Sequence, residues 1–104
     1  MLLVRDIMYC KPGKVRPLVD KFLQMSKLME KGGMGKMQVM TDVSAERYWT
    51  VVAEFQTPSL KAFEEMFEQM GKADEADMKA MEEIMKGYHE LVDQGRREIY
   101  KLEG

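Results

Sequence analysis

Acid–base chemistry in this chain would depend on a single histidine. His89 is the only histidine among 104 residues, and a neutral imidazole can accept a proton from a phenol or bind iron near physiological pH. The alternative is a surface histidine beside Glu90 near the end of a helix, because no residue in the sequence is visibly placed to orient the ring. His89 is therefore a candidate proton acceptor whose role depends on the side chains that the fold brings to it.

Two consecutive charges interrupt the apolar segment at the start of the chain. Arg5 and Asp6 lie within Leu2 to Cys10, whose apolar content predicts a strand. Because successive side chains of a strand point to opposite faces, at least one of the two charges should reach a pocket or a subunit interface. They either handle protons and oxyanions or form ion pairs, with Glu54 or Arg47 as partners. We therefore include both among the candidate catalytic residues.

Aromatic side chains could form the wall of a ligand pocket. An indole on an apolar strand face either fills the core or contacts a ligand. A tyrosine hydroxyl can bind a ligand or anchor the rim of a pocket through one hydrogen bond. The predicted ligand contacts are Trp49, Tyr9, Tyr48, Tyr88 and Phe63.

The sequence predicts no metal site. The pair His89-Glu90 differs from the zinc-protease motif, because Asp93 stands where the second histidine is required. Cys10 is the only cysteine, lacks an evident activating base and is expected to be inert. Twelve methionines could supply soft ligands for Cu(I). Those of the helices coincide with apolar stripes, which favours core packing and an adaptable apolar cavity.

Length and charge limit the classes of protein to consider. A chain of 104 residues is expected to form one domain, residues 1–104. Its net charge of −2 argues against a general nucleic-acid binder. No apolar run approaches a membrane span, and Arg5 ends the first apolar stretch too early for a signal peptide. We expect a cytoplasmic protein without nucleic-acid or membrane partners.

Hydrophobic periodicity predicts strands and helices in the order β-α-β-β-α-α-β. The four predicted strands span residues 2–10, 34–41, 47–56 and 96–102, and the first predicted helix spans residues 15–31. Thr57 is expected to cap the second helix with Pro58 in its first position, and Asp74 to cap the third. The apolar stripe of the third helix extends far enough to place His89 near its end, and Gly95 should precede the last strand.

Without the extra helix before the last strand, this order is βαββαβ, that of a ferredoxin-like α+β fold with a four-stranded antiparallel sheet. The first and third strands are apolar and should be central, whereas the second and fourth carry polar residues typical of sheet edges. The third strand has Trp49 and Phe55 on one face and Tyr48 and Val52 on the other. A single layer of helices covers only one face, so a second copy of the chain should cover the other.

The third strand and the helix entry after it resemble a known superfamily. The segment from Arg47 to Phe55 (RYWTVVAEF) and the entry from Thr57 to Leu60 (TPSL), with the order of the elements, are similar to those of the dimeric α/β-barrel superfamily. That group includes the antibiotic-biosynthesis-type monooxygenases, the NIPSNAP-like proteins, the EthD-like proteins and the haem-degrading monooxygenases. The resemblance covers nearly the whole chain.

The resemblance implies a homodimer whose two sheets pack face to face into a barrel, with the helices outside and a pocket between sheet and helices in each subunit. Members oxidise polyketide phenols or quinols without a cofactor, degrade haem, or isomerise and cleave small ring compounds. The haem-degrading branch uses a first-strand Asn, a third-strand Trp and a helix His. Trp49 and His89 match two of these, but the first strand offers Asp6 or Met8 and no Asn, and an added helix precedes His89. Haem is thus the lesser expectation, and no cofactor is predicted.

Two classes of function are consistent with these residues. The first is a small-molecule enzyme, such as a cofactor-independent monooxygenase or related oxidoreductase, that holds an apolar, aromatic or quinol-like substrate against Trp49 and the tyrosines. His89, Asp6 or Arg5 would handle protons and oxyanions. The second is a homodimeric binding or regulatory module without chemistry of its own. A proton-transfer group that opens into the same cavity as the aromatic residues would favour the enzyme.

Overall fold

Four strands and three α-helices account for most of the chain in the computed structural model, which describes residues 1–33, 35–72 and 74–104. The elements in chain order are β1 (Leu2–Cys10), α1 (Val15–Lys31), β2 (Gln38–Thr41), β3 (Thr50–Thr57), α2 (Leu60–Gly71), α3 (Glu75–Met85), a 3-10 turn (Tyr88–Glu90) and β4 (Val92–Lys101). This is the predicted order of elements, with one short turn added before the last strand.

The strands form one antiparallel sheet in the order β2-β3-β1-β4. The two apolar strands are central and the two polar strands lie at the edges, as predicted. The ferredoxin-like α+β architecture is therefore confirmed. In the register, Arg5 lies between Glu54 and Glu98, and Tyr9 between Thr50 and Gln94, so these side chains share one face of the sheet.

The opposite face carries the hydrophobic core. Cys10, Val51 and Ala53 from the central strands pack against Leu18, Val19 and Phe22 of α1, which recur on one face of that helix. A buried serine joins the helix to the sheet edge: Ser26 Oγ donates to the Met37 carbonyl at 3.1 Å and accepts from the Met37 N–H at 3.2 Å. The start of β2 is thus fixed over α1.

A lysine of α1 holds the end of α3. Lys21 Nζ donates to the carbonyl oxygens of Ile84 at 2.8 Å and Lys86 at 2.7 Å. These carbonyls lie at the carboxyl end of α3, where intrahelical partners are missing and the helix dipole favours a cation. One side chain of α1 therefore sets the position of α3.

The two strands of the β2–β3 hairpin are shorter than predicted. The prediction started β2 at residue 34, but the strand begins at Gln38, and Met34 lies outside the described residues. The prediction started β3 at residue 47, whereas it begins at Thr50. Trp49 has φ 61°, a left-handed conformation that ends regular strand geometry. Tyr48 and Trp49 therefore belong to the connecting loop.

Three further boundaries differ from prediction. Ser59 caps α2 by accepting the Ala62 N–H at 3.1 Å, whereas Thr57 remains in β3; Asp74 caps α3 as predicted. Gly87, with φ 79°, breaks the helical stripe and places His89 in the separate 3-10 turn. β4 begins at Val92, and Gly95 lies within it.

Gly95 of β4 packs closely against Met8 of β1. A Cβ at this position would lie 2.5 Å from the Met8 sulfur, which is inside van der Waals contact. The absence of a side chain lets Met8 lie across the edge strand.

The helices leave one face of the sheet uncovered. The principal extents are 38 × 35 × 18 Å, and the short dimension corresponds to a single sheet with one layer of helices. We call the uncovered side the open face; it comprises Leu3, Arg5, Ile7, Tyr9, Gln38, Met40, Thr50, Val52, Glu54, Gln56, Gln94, Arg96, Glu98 and Tyr100. Of the described helices, none combines the length and apolar character needed to cross a membrane.

Candidate functional site

The open face contains a cleft of about 360 Å³ at its β2–β3 end. Its floor is apolar, with Ile7, Met40 and Val52, and the loop of residues 42–47 forms one wall. Arg5, Tyr9, Arg47, Thr50 and Arg96 complete the lining. The volume lies within the range of about 300 to 1,000 Å³ that is usual for small-molecule sites.

Tyr9 is at the centre of the polar side of this cleft. Its side chain is only 5% exposed although the sheet face is open, because two arginines cover it. The Arg47 guanidinium carbon lies 4.3 Å from the ring centroid, and that of Arg96 lies 5.7 Å from it. Arg96 also donates from Nη1 to the Tyr9 hydroxyl oxygen at 2.6 Å. Cation–π and charge-assisted contacts together fix the ring.

The hairpin loop places Arg47 over the ring. Asp42 accepts the Thr50 N–H through Oδ1 at 2.9 Å, and its own N–H donates to the Thr50 carbonyl at 3.2 Å. The Thr50 hydroxyl donates to the Arg47 carbonyl at 2.8 Å. These bonds fix the backbone on both sides of the loop, and the Arg47 side chain reaches Gln94 Oε1 at 3.5 Å. No carboxylate of the described residues pairs with Arg47.

A second set of charges continues along the open face. Arg5 Nε lies 3.1 Å from Glu54, and its guanidinium lies 5.6 Å from the Tyr100 ring centroid. Glu98 accepts from the Tyr100 hydroxyl at 2.7 Å and from Arg96 at 3.1 Å. The Tyr100 hydrogen bond, with help from Arg96, lowers the pKa of Glu98. The same bond to Glu98 raises the pKa of Tyr100, so Glu98 is held as a carboxylate.

The pleat separates the two predicted charges. Asp6 lies on the helix side, where Arg97 donates to its carboxylate at 2.6 and 3.2 Å. The bond to Asp6 raises the pKa of Arg97. The Arg97 guanidinium lies 5.2 Å from the Phe63 ring centroid and 5.4 Å from that of Phe67. Asp6 and Phe63 therefore form a cluster with Arg97 on the opposite side of the sheet from Arg5 and Tyr9.

The remaining predicted residues lie outside the cleft. His89 is exposed in the 3-10 turn, and its ring centroid lies 4.6 Å from that of Tyr88. Tyr88 packs against the core from that turn. Tyr48 and Trp49 lie in the hairpin loop with exposures of 85% and 44%. Of the eight predicted site residues, the cleft brings together Arg5 and Tyr9 only.

Two important cleft residues were not among the predicted site residues. The sequence presents Arg47 as an ion-pair partner and Arg96 as one of the polar residues of an edge strand. The role of Arg96 follows from strand register. It lies opposite Ile7, which is two positions from Tyr9 on the same face of β1. No local pattern in the sequence indicates this arrangement, because Arg96 becomes a neighbour of Tyr9 only through the register of β4 on β1.

The buried thiol is not part of the cleft. Cys10 lies in the core on the helix side, and burial, followed by the charges of Asp93 and Asp42, raises its pKa. A raised pKa keeps the thiol protonated and poorly nucleophilic. Among the described residues, no cluster of three or more His, Cys, Asp or Glu side chains is arranged to hold a metal ion.

The sequence matches no family model and no curated protein. Solved structures match in fold. A NIPSNAP domain protein from Burkholderia xenovorans has a TM-score of 0.76 and 12% identity, with 98% of this chain and 94% of that chain covered. A NIPSNAP family protein from Agrobacterium tumefaciens has a TM-score of 0.74 and 10% identity, covering 96% and 90%. An antibiotic biosynthesis monooxygenase has a TM-score of 0.61 and 14% identity, covering 100% of both chains.

These similarities concern the fold. They confirm the predicted ferredoxin-like α+β fold, which this chain shares with NIPSNAP-type structures and with an antibiotic biosynthesis monooxygenase. They assign no substrate or reaction, because one fold hosts many functions.

The geometry of the cleft favours binding of an anion with a flat apolar body. Three guanidinium groups line it together with the carboxylates of Asp42 and Glu46. Arg5 and Arg96 are paired with Glu54 and Glu98, whereas Arg47 forms no ion pair with a described residue. The Tyr9 hydroxyl accepts from Arg96 and donates to no described acceptor, so its hydrogen can point to a ligand oxygen. The apolar floor can contact a ring or a hydrocarbon.

Proposed function

We propose that this protein is a small-molecule-binding homodimer whose ligand is a planar aromatic anion, bound in the cleft of the open face. The observation that carries the proposal is the cluster of Arg47 and Arg96 around Tyr9 above an apolar floor. Guanidinium groups bind carboxylates and phenolates through paired hydrogen bonds. The Tyr9 hydroxyl adds a donor for the same oxygen atoms.

A second copy of the chain covers the open face in this proposal. The uncovered surface includes Met40 and Tyr100, and Val43, Tyr48 and Trp49 extend from the adjoining loop. Such apolar side chains around a central polar network are typical of an interface. The network also alternates arginine and glutamate, so that two copies related by a twofold axis can pair opposite charges. The partner would close the cleft and exclude water from the bound anion.

Salicylate is the probe that tests the cleft, since it combines a ring, a carboxylate and a phenol. We expect saturable binding by calorimetry and a loss of affinity of about tenfold or more in Arg47→Met, because a charge-assisted contact is removed. The Arg47 carbonyl that accepts from Thr50 is retained in this variant. Arg16→Met, an exposed arginine on α1, is the matched control and should bind like the parent. Equal weakening in both variants, or no binding by the parent, would contradict the proposal.

A monooxygenase is the second candidate, favoured by the full-length similarity in fold to an antibiotic biosynthesis monooxygenase. The cleft would then hold a phenol or quinol with its oxygen at Tyr9 and the arginines, which stabilise the anionic form that reacts with oxygen. The test is oxygen uptake with hydroquinone above the rate without protein. Tyr9→Phe should reduce the rate of oxygen uptake. A rate equal to that of heat-unfolded protein would refute the monooxygenase, and only the binding function would remain.

A further inference from the structure

A second cavity lies in the helix layer, on the opposite side of the molecule from the cleft. It measures about 260 Å³ and lies where α1, α2 and α3 meet. Its apolar lining consists of Met25, Leu28, Met29, Met70 and Met81. All three helices contribute, so the cavity exists only because the chain carries α3 in addition to the two helices of βαββαβ.

We propose that this cavity is a binding site for a medium-length aliphatic chain with an uncharged hydroxyl head group. Protein interiors are close-packed, so an apolar space of this size between helices is a feature to be explained. Four of the five apolar lining side chains are methionines, whose unbranched thioethers adapt to irregular apolar ligands. The described lining contains no aromatic ring, which favours an aliphatic occupant over a stacked one.

The volume limits the length of the occupant. The cavity of about 260 Å³ suits a medium-length chain, and we take an eight-carbon alcohol as the probe. This is smaller than a drug-sized ligand, for which sites begin at about 300 Å³.

The mouth of the cavity selects the head group. Lys31, Gln69 and Asp77 line it, and neither Lys31 nor Asp77 forms an ion pair with a described residue. A hydroxyl can accept from the Lys31 ammonium and donate to the Asp77 carboxylate. A carboxylate head would be attracted by Lys31 but repelled by Asp77, and an ammonium head the reverse, so a singly charged head gains from one group what it loses to the other. Complementarity to both charges therefore points to a neutral donor and acceptor.

The test is titration of the full chain, labelled with ¹³C at the methionine methyl groups, with 1-octanol. We expect saturable shifts of the Met25, Met29, Met70 and Met81 signals, with those of Met8 and Met40 unchanged because they lie on the sheet. Octanoate and octylamine should each bind about fivefold or more weakly than octanol. Uniform, non-saturating shifts across all methionines, or binding that does not depend on the head group, would overturn the proposal.

A blocking variant tests the location without disturbing the core. Gln69 is exposed at the mouth, so Gln69→Trp should obstruct entry and weaken octanol binding about tenfold or more. Gln24→Trp, at an exposed position of α1 outside the lining, is the control and should bind as the parent does. If Gln69→Trp bound octanol as tightly as the parent does, octanol would have to bind outside this cavity, and the proposed site would be refuted.

Discussion

At the scale of single residues, the candidate site depends on how one tyrosine is surrounded. Tyr9 is nearly buried on a sheet face that no helix covers, because Arg47 and Arg96 lie against it. The same arginines supply the positive charge of the cleft, so packing of the tyrosine and recognition of an anion use the same groups. His89, which chemistry alone would favour as the reactive residue, is exposed outside the cleft.

The placement of His89 gives a prediction for binding. His89→Ala should leave the affinity for salicylate unchanged within about twofold, because the imidazole is not part of the cleft lining. Calorimetric titration of the variant beside the parent is the measurement. A large loss of affinity would mean that the ligand binds near the 3-10 turn and not on the open face.

The buried thiol gives a prediction for the pH dependence of stability. Burial raises the pKa of Cys10 in the folded protein, so as pH rises the unfolded chain loses the thiol proton first. Unfolding is then favoured progressively above the ordinary thiol pKa of about 8.5. The free energy of unfolding, measured in urea from about pH 7 to pH 10, should fall more steeply for the parent than for Cys10→Ala. Parallel curves would show that Cys10 does not contribute.

At the scale of elements, the pleat of β1 explains why adjacent charges have different environments. Arg5 faces the open side and pairs with Glu54, whereas Asp6 faces the helices and pairs with Arg97. The contacts between α1 and α3 show a similar dependence on one side chain, since Lys21 binds two carbonyl oxygens at the end of α3. The helix layer is therefore stabilised by polar contacts between α1 and α3 as well as by the apolar side chains of α1 that pack on the sheet.

Removal of that contact should destabilise the helix layer. Lys21→Met keeps the aliphatic stem but removes the donor to two carbonyls at the end of α3, which water can partly replace because one of the two bonds is exposed. We expect a loss of about 0.5 to 1.5 kcal/mol in the free energy of unfolding. Lys27→Met, at an exposed position of the same helix, should change it by less than about 0.5 kcal/mol. Urea denaturation followed by circular dichroism compares the two, and equal effects would argue that the Lys21 contact contributes nothing specific.

At the scale of the whole molecule, the decisive feature is a sheet with helices on one side only. The shortest extent of the molecule, 18 Å, corresponds to the sheet and one layer of helices. The described helices therefore leave the open face uncovered. Its apolar and polar residues come from all four strands of the sheet. The proposed dimer would cover this surface with the sheet of a second copy.

The dimer can be tested by light scattering at micromolar concentration. The chain mass is 12.1 kDa, and we expect about twice that value for the parent. Val52→Lys, at the centre of the open face, should shift the mass towards the monomer because a charge is buried without a partner. Leu23→Lys replaces an exposed leucine on α1 and should remain dimeric. A parent with the mass of one chain would refute the dimer.

The sequence was sufficient for the fold because periodicity and polarity are local properties. The central position of β1 and β3, the bounds of α1 and the Asp74 cap follow from the spacing of apolar residues and from helix-start chemistry. The conformation of the loop that joins β2 to β3 could not be predicted from such local patterns. The left-handed backbone at Trp49 and the bonds of Asp42 to Thr50 arise between residues brought together by the turn.

The candidate site depended on the tertiary structure because it is made of contacts between distant strands. Composition identified Arg5 and Tyr9 as residues of interest, but not that Arg96 would lie beside Tyr9, 87 positions away in sequence. That contact follows from the register of β4 on β1, and a one-residue shift would send Arg96 to the helix side. The cavity between the three helices has the same origin, since the sequence predicts the methionine stripes and only the packing of the helices leaves space between them.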